Sequence, residues 1–282
     1  MTGRIFDATP CELGEGPLWH PEAKCLFWFD IMGCRLYRRM SEKLNHWEFD
    51  EHVSAAGWVD ATRLIIASET ALQVFDTATG ESEFLCGLES ENEVTRSNDG
   101  RADPFGGFWI GTMGKNAETG AGAIYRYFDG QVRKLFGAIT IPNAISFHPD
   151  GKTACYTDTL KRKIMRVALD DEGWPEGKPS LYLDMADAPG GPDGAVFGAD
   201  GTFWVALWGA GCVVGYAPDG TEVARFDAPA PHMTCPAFGG DELRTLFATT
   251  ACQGRDAPTL TDGATFTWDT TFQGQPEHRV IL

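Results

Sequence analysis

Apolar and polar positions alternate along this chain in short runs, each closed by a turn residue within a few positions. No window of 12 or more residues sustains the i, i+3, i+4, i+7 apolar spacing of an amphipathic helix. Strand-like runs are plentiful: Lys24–Asp30 (KCLFWFD), Arg63–Ala67, Leu72–Phe75, Gly107–Gly111 (GFWIG), Ala123–Tyr127, Ala154–Asp158, Lys163–Leu169, Thr202–Leu207 (TFWVAL), Cys212–Tyr216 and Arg244–Thr249. Between them stand Asp129-Gly130, Pro149-Asp150-Gly151, Asp200-Gly201 and Pro218-Asp219-Gly220, residues that supply the backbone angles of tight turns. The pattern predicts an all-β chain.

The runs also repeat. A short segment, a Gly/Asp turn, a strand ending in a small or polar residue, a third strand and a weaker fourth recur along the chain. The repeat is clearest in Pro142–Asp158 and Pro192–Ala206. Equivalent starts fall at Gly16, Ala55, Asn98, Asn143, Asp193 and Thr234, at intervals of 39, 43, 45, 50 and 41 residues. A four-stranded unit with a period of roughly 40–50 residues is a propeller blade. Six starts predict a six-bladed β-propeller with four antiparallel strands per blade, one domain over 1–282. Its ring closes when the N-terminal Arg4–Asp7 strand joins the last blade, formed around Leu246-Phe247 and Phe266-Thr267-Trp268. A two-sheet sandwich is the alternative fold, but it does not demand this spacing.

Composition narrows the partners. With 23 Lys and Arg against 40 Asp and Glu the chain carries −17, which opposes encounter with nucleic acid or an anionic membrane surface. No run approaches the ~20 apolar residues of a membrane span, and the opening MTGRIFD has no apolar leader, so the expected location is cytoplasmic. The eight cysteines lie at least nine residues apart, which offers neither a Cys-x-x-Cys knuckle nor a compact disulfide framework. The six histidines are scattered without zinc-ligand spacing, and no serine sits in a Gly-x-Ser-x-Gly elbow.

In a propeller the unit starts converge on the central channel from distant parts of the sequence. Here they carry Glu15 (Leu-Gly-Glu-Gly-Pro), Arg96 and Asn98 (Thr-Arg-Ser-Asn-Asp-Gly), Asn143 (Ile-Pro-Asn) and Asp193 (Gly-Pro-Asp-Gly). Singly, Asp193-Gly194 reads as a turn dipeptide, Asn143 as a turn cap and Arg96 as a surface cation. Together, two carboxylates and amide carbonyls form an all-oxygen set suited to a hard or borderline divalent cation. Trp208, just after a strand, is placed to line the channel mouth; Met113 and Asp158 hold the same place in their blades.

These segments, with Trp109-Ile-Gly-Thr-Met113, Tyr156-Thr-Asp-Thr159 and Phe238-Gly-Gly-Asp-Glu-Leu, resemble the SMP-30/gluconolactonase/regucalcin-like family of six-bladed propellers. The resemblance runs from Leu13 to about residue 252. It implies that Glu15, Asn143 and Asp193 bind one divalent ion (Ca²⁺, Zn²⁺, Mn²⁺, Fe²⁺ or Mg²⁺). It further implies that Arg96 and Asn98 contact substrate, that Glu118 adds a substrate-side carboxylate, and that Asp193 serves as catalytic base. The implied activity is hydrolysis of an aldonolactone to its aldonic acid, with a small sugar lactone as the partner. Two alternatives stay open on these residues: a metal-dependent esterase on the same scaffold, and a non-catalytic calcium-binding propeller.

Overall fold

The structure, a computed structural model, describes residues 2–282. Among these residues the chain forms six four-stranded antiparallel sheets, five of them built from consecutive strands. The sixth joins Met233–Gly239, Thr245–Thr250 and Thr265–Asp269 to the N-terminal strand Arg4–Asp7, with Arg4 opposite Thr267 and Ile5 opposite Phe266. The first and last strands of the ring thus share one sheet, so no blade is left with an open end at the point of closure. This is the six-bladed propeller that the spacing predicts. The sandwich is ruled out.

Each expected strand is present, with ends shifted by up to three residues. The outermost strands, such as Lys43–Glu48 and Glu81–Gly87, are those the apolar pattern marks least. They are the most exposed strands of their blades, with only a few side chains such as Trp47, Leu85 and Cys86 packed on the core, so burial imposes little apolar pattern on them. The second strands are the reverse. Cys25–Asp30, Phe108–Gly114 and most of Phe203–Trp208 are buried along their whole length, because both faces of a blade pack on its neighbours. Trp28, Trp109 and Trp204 are fully buried. Trp109 reaches Phe147 of the next blade at 5.4 Å between ring centroids, and Trp204 reaches Phe238 at 5.9 Å. They are wedges between sheets. Asp129-Gly130 closes its hairpin with both residues at positive φ (49° and 71°), a two-residue turn whose twist suits the flanking strands.

One irregularity recurs in all six blades. The pairing of the innermost strand with the second slips register near its start: between Glu15 and Leu18, Val53 and Ala55, Ser97 and Gly100, Asn143 and Ser146, Pro192 and Ala195, and Met233 and Pro236. A regular strand would send alternate side chains into the two blade interfaces. A bulge breaks that alternation and turns a side chain elsewhere, here toward the channel.

The end of the chain covers the opposite mouth. Gln275 Nε2 donates to the carbonyls of Phe147 and Phe197, at the far ends of two inner strands. Glu277 pairs with Arg101, and Val280 N–H donates to Trp58 O at 2.9 Å. With the blades numbered in chain order from the one whose inner strand is Gly14–His20, this strap crosses from blade 5 (inner strand Gly191–Phe197) to blade 2 (inner strand Val53–Trp58), and nothing in the apolar pattern announces it. All eight cysteines are free, with Cys25, Cys155 and Cys212 in the core as small apolar residues. Among the described residues no helix is long and apolar enough to cross a membrane.

Candidate functional site

The starts of the inner strands open into a cavity of about 270 Å³. Glu15, Arg96, Asn98, Asn143 and Asp193 all line it, from blades 1, 3, 4 and 5, with Met113 and Trp208 at its wall. Each polar contributor sits in or beside a bulge. Glu15 precedes Gly16, whose φ of +54° and contact with Ser54 O leave no room for a Cβ, which would lie 2.4 Å from that oxygen. Asn143 precedes Ala144, held at φ +55°, a conformation L residues rarely adopt. Asp193 precedes Gly194, where a Cβ would meet Cys235 Sγ at 2.3 Å.

The charges in this cavity are buried and unbalanced. Glu15 is raised to about 8, first by burial and next by Asp99. Asp193 is pushed well above the ordinary carboxylate range, again by burial first and then by Glu15 and Asp99. Arg96 is buried and drawn down to about 10 by loss of solvent, opposed by the attraction of Glu15. It remains a cation at neutral pH. One guanidinium therefore faces three buried acids, Glu15, Asp193 and Asp99, whose ionised forms lack matching positive charge. Among the described residues no three His, Cys, Asp or Glu side chains are grouped to hold a metal ion; the third donor available is the Asn143 amide. Two carboxylate groups and one amide oxygen, short of positive charge, fit a divalent cation that accepts oxygen ligands.

The amides are fully ordered by their neighbours. Arg96 Nη1 donates to Asn98 Oδ1 at 2.9 Å and to Ser97 O at 2.8 Å. Asn98 Nδ2 donates to Pro142 O and to Asn143 Oδ1, each at 3.0 Å. Both amide hydrogens of Asn98 are thus spoken for, and it meets a ligand only as an acceptor, through the remaining lone pair of its oxygen.

Two expected residues lie apart from the cavity. Glu118 folds back on its own loop, its carboxylate accepting from Asn116 N at 3.1 Å and Asn116 Nδ2 at 3.0 Å, and these bonds hold it below the usual carboxylate range. Asp158 is buried, and its oxygens accept from Thr140 N at 3.1 Å and Ile141 N at 3.2 Å. It grips the backbone two residues ahead of Asn143. Asp30 does the same in blade 1, accepting from Glu12 N and Leu13 N two residues ahead of Glu15.

Sequence reasoning missed several groups. Leu13, Ile141, Thr159, Leu160 and Gln253 complete the lining, and Leu160 stands exposed at the rim. Asp99, next to Asn98, is buried and accepts from Ile145 N at 2.7 Å, which ties blade 3 to the bulge of blade 4. Its place in the Arg-Ser-Asn-Asp-Gly segment was the available signal. Trp208 stacks on His232 at 4.1 Å between centroids and 13° between planes, and His232 Nδ1 lies 2.8 Å from Gln253 O. No local motif joins these two, since they meet across neighbouring blades.

Residues 13–252 match the model of the SMP-30/Gluconolactonase/LRE-like region. A Rhizobium meliloti protein provisionally named sugar lactone lactonase is 44% identical over 91% of this chain and 88% of its own length. A pentonolactonase of Haloferax volcanii is 35% identical over 98% and 97% respectively. Among solved structures, a calcium-binding protein, regucalcin, from Agrobacterium tumefaciens superposes with a TM-score of 0.96 at 40% identity, covering 100% of this chain and 98% of that one.

Proposed function

The chain belongs to the SMP-30/gluconolactonase/LRE-like family, and from that premise we propose that it is a metal-dependent sugar lactonase, opening an aldonolactone to the aldonic acid. The observation that carries the proposal is the meeting of Glu15, Asn143 and Asp193 with the Arg96–Asn98 pair in one cavity. Glu15, Asp193 and the Asn143 carbonyl oxygen hold the cation. When bound, a divalent ion supplies Lewis acidity toward the lactone carbonyl and eases deprotonation of water.

The protein's own groups then divide the remaining work. Arg96, a fixed cation in a water-poor site, stabilises the negative charge that develops on the carbonyl oxygen as water adds. Asn98 accepts from a sugar hydroxyl, and the Trp208 face supports the apolar side of the ring. Asp193 takes the proton of the attacking water as its oxygen bonds to the carbonyl carbon. As the tetrahedral centre collapses and the ring C–O bond breaks, that proton passes to the departing ring oxygen. The wall formed by Leu13, Met113, Ile141, Leu160 and Trp208 excludes bulk water from the reacting face.

A panel of sugar γ- and δ-lactones, followed by acid release in weak buffer with and without chelator, tests the proposal. Acid release that stops on chelation and returns with added metal is the expected result. Tight calcium binding without acid release from any lactone or ester overturns it in favour of a non-catalytic calcium-binding propeller.

A further inference from the structure

The hydrogen bonds around Asn143 form one directed chain. It begins at Arg96, which can only donate, and passes through Asn98 and Asn143 to Thr159 and the carbonyl of Pro192, which can only accept. Asn143 Nδ2 donates to Thr159 Oγ1 at 2.9 Å, and Thr159 Oγ1 donates to Pro192 O at 2.8 Å. A hydroxyl has a single proton. Because Thr159 spends it on Pro192, toward Asn143 it acts only as an acceptor, so the amide must present its NH₂ to Thr159 and its oxygen to the other side. The other neighbour, Asn98, agrees, since it offers Asn143 an N–H.

We propose that Thr159 is a positioning residue for the cation site: its hydroxyl fixes the amide of Asn143 with Oδ1 aimed at the metal, and ties that ligand to the strand bearing the next one. The inference rests on the reading of Glu15, Asn143 and Asp193 as the metal ligands. Thr159 is suited to the task by its placement. It opens the short 3-10 turn Thr159–Lys161, its own N–H is held by Ile141 O at 3.0 Å, and it lines the cavity half-buried. Its acceptor, Pro192 O, belongs to the residue just before Asp193. One side chain therefore couples the ligand of blade 4 to the ligand of blade 5. Without the hydroxyl, the Asn143 NH₂ loses its acceptor and the Asn98 N–H alone orients the amide, so Oδ1 is held less firmly toward the cation.

The test compares Thr159→Val, of nearly equal shape, with Thr159→Ser, which keeps the hydroxyl. Ca²⁺ is titrated calorimetrically into chelator-stripped protein, and Mn²⁺ is titrated in parallel. The Val variant is expected to bind both ions about 10–100-fold more weakly, the usual loss when a ligand's supporting partner is removed. The Ser variant is expected to restore the affinity of the parent. Thermal melts in chelator separate this from a folding defect, and if Val lowers the melt, Thr159→Ala is compared with Ser in its place. Parental affinity in the Val variant, or equal weakening by Val and Ser at unchanged melting temperature, overturns the proposal. A parent protein that binds neither ion overturns it together with the metal reading. Absence of lactone hydrolysis with this binding pattern intact overturns only the enzymatic assignment.

Discussion

Glu15 and Asp193 are side chains that the folded protein holds at a cost. Each is buried; Asp99 makes ionisation of Glu15 harder, and Glu15 in turn makes ionisation of Asp193 harder. Replacing either by its amide relieves a buried like-charge contact, so Asp193→Asn is expected to raise the stability of the chelator-treated protein by about 1 kcal/mol or more while removing hydrolysis. The same variant should lose most of the metal-induced rise in melting temperature. In the parent that rise corresponds to about 2.7 kcal/mol at a metal concentration one hundred times Kd. Melting curves in chelator and in calcium check both. A lower melt for Asp193→Asn in chelator would mean that the carboxylate supports the fold rather than burdens it. The candidate ligands were legible in the sequence because each starts a repeat unit. Thr159, Gln253 and Asp99 were not, because their importance lies in what they touch across blades. Glu118 lies in a Gly-rich loop whose fold the sequence does not specify, and its carboxylate accepts from Asn116 there.

At the scale of the element, the second strand of a blade does more than fill the core. Asp30 and Asp158 end such strands in blades 1 and 4, and each holds two backbone N–H groups of the segment leading into a ligand-bearing bulge. Asp158→Ala leaves Thr140 and Ile141 without these acceptors. It is expected to destabilise the protein by about 1–3 kcal/mol, the cost of stranding a buried donor, and to lower turnover through displacement of Asn143. Urea unfolding and steady-state kinetics on the same preparation read the two effects. Unchanged turnover would separate the Asp158 grip from the ligand it precedes. The strand pattern was visible in sequence wherever burial forced apolar runs, as in CLFWFD and TFWVAL. The bulges were not, since a register slip such as that at Asn143-Ala144 leaves no mark in composition. The outermost strands were faint because they bury few side chains.

Over the whole molecule, two terminal segments hold the ring. Arg4–Asp7 completes blade 6, and its closing role could be read from the repeat. The strap of residues 275–281 could not: Gln-Pro-Glu-His-Arg-Val-Ile has no periodicity, and it makes sense only against the carbonyls and the Arg101 guanidinium it meets. Glu277→Ala leaves Arg101, with only 12% of its side chain exposed, without its acid. We expect a loss of about 2–4 kcal/mol, below the figure for a fully enclosed pair because water reaches both groups. Chemical denaturation measures it, and a change below 1 kcal/mol would show that the strap is held by its backbone bonds alone. No pair of neighbouring blades contains the complete site, since its side chains come from blades 1, 3, 4 and 5.

The strap has a consequence for traffic. With the strap across the far mouth, the end of the cavity lined by Trp208 and Leu160 serves as both entrance and exit. A neutral ring goes in and an anion comes out, across a surface of net charge −17 that repels it. The acidity of the molecule, which at first only excludes partners, thus becomes an expulsion force that clears the doorway for the next guest.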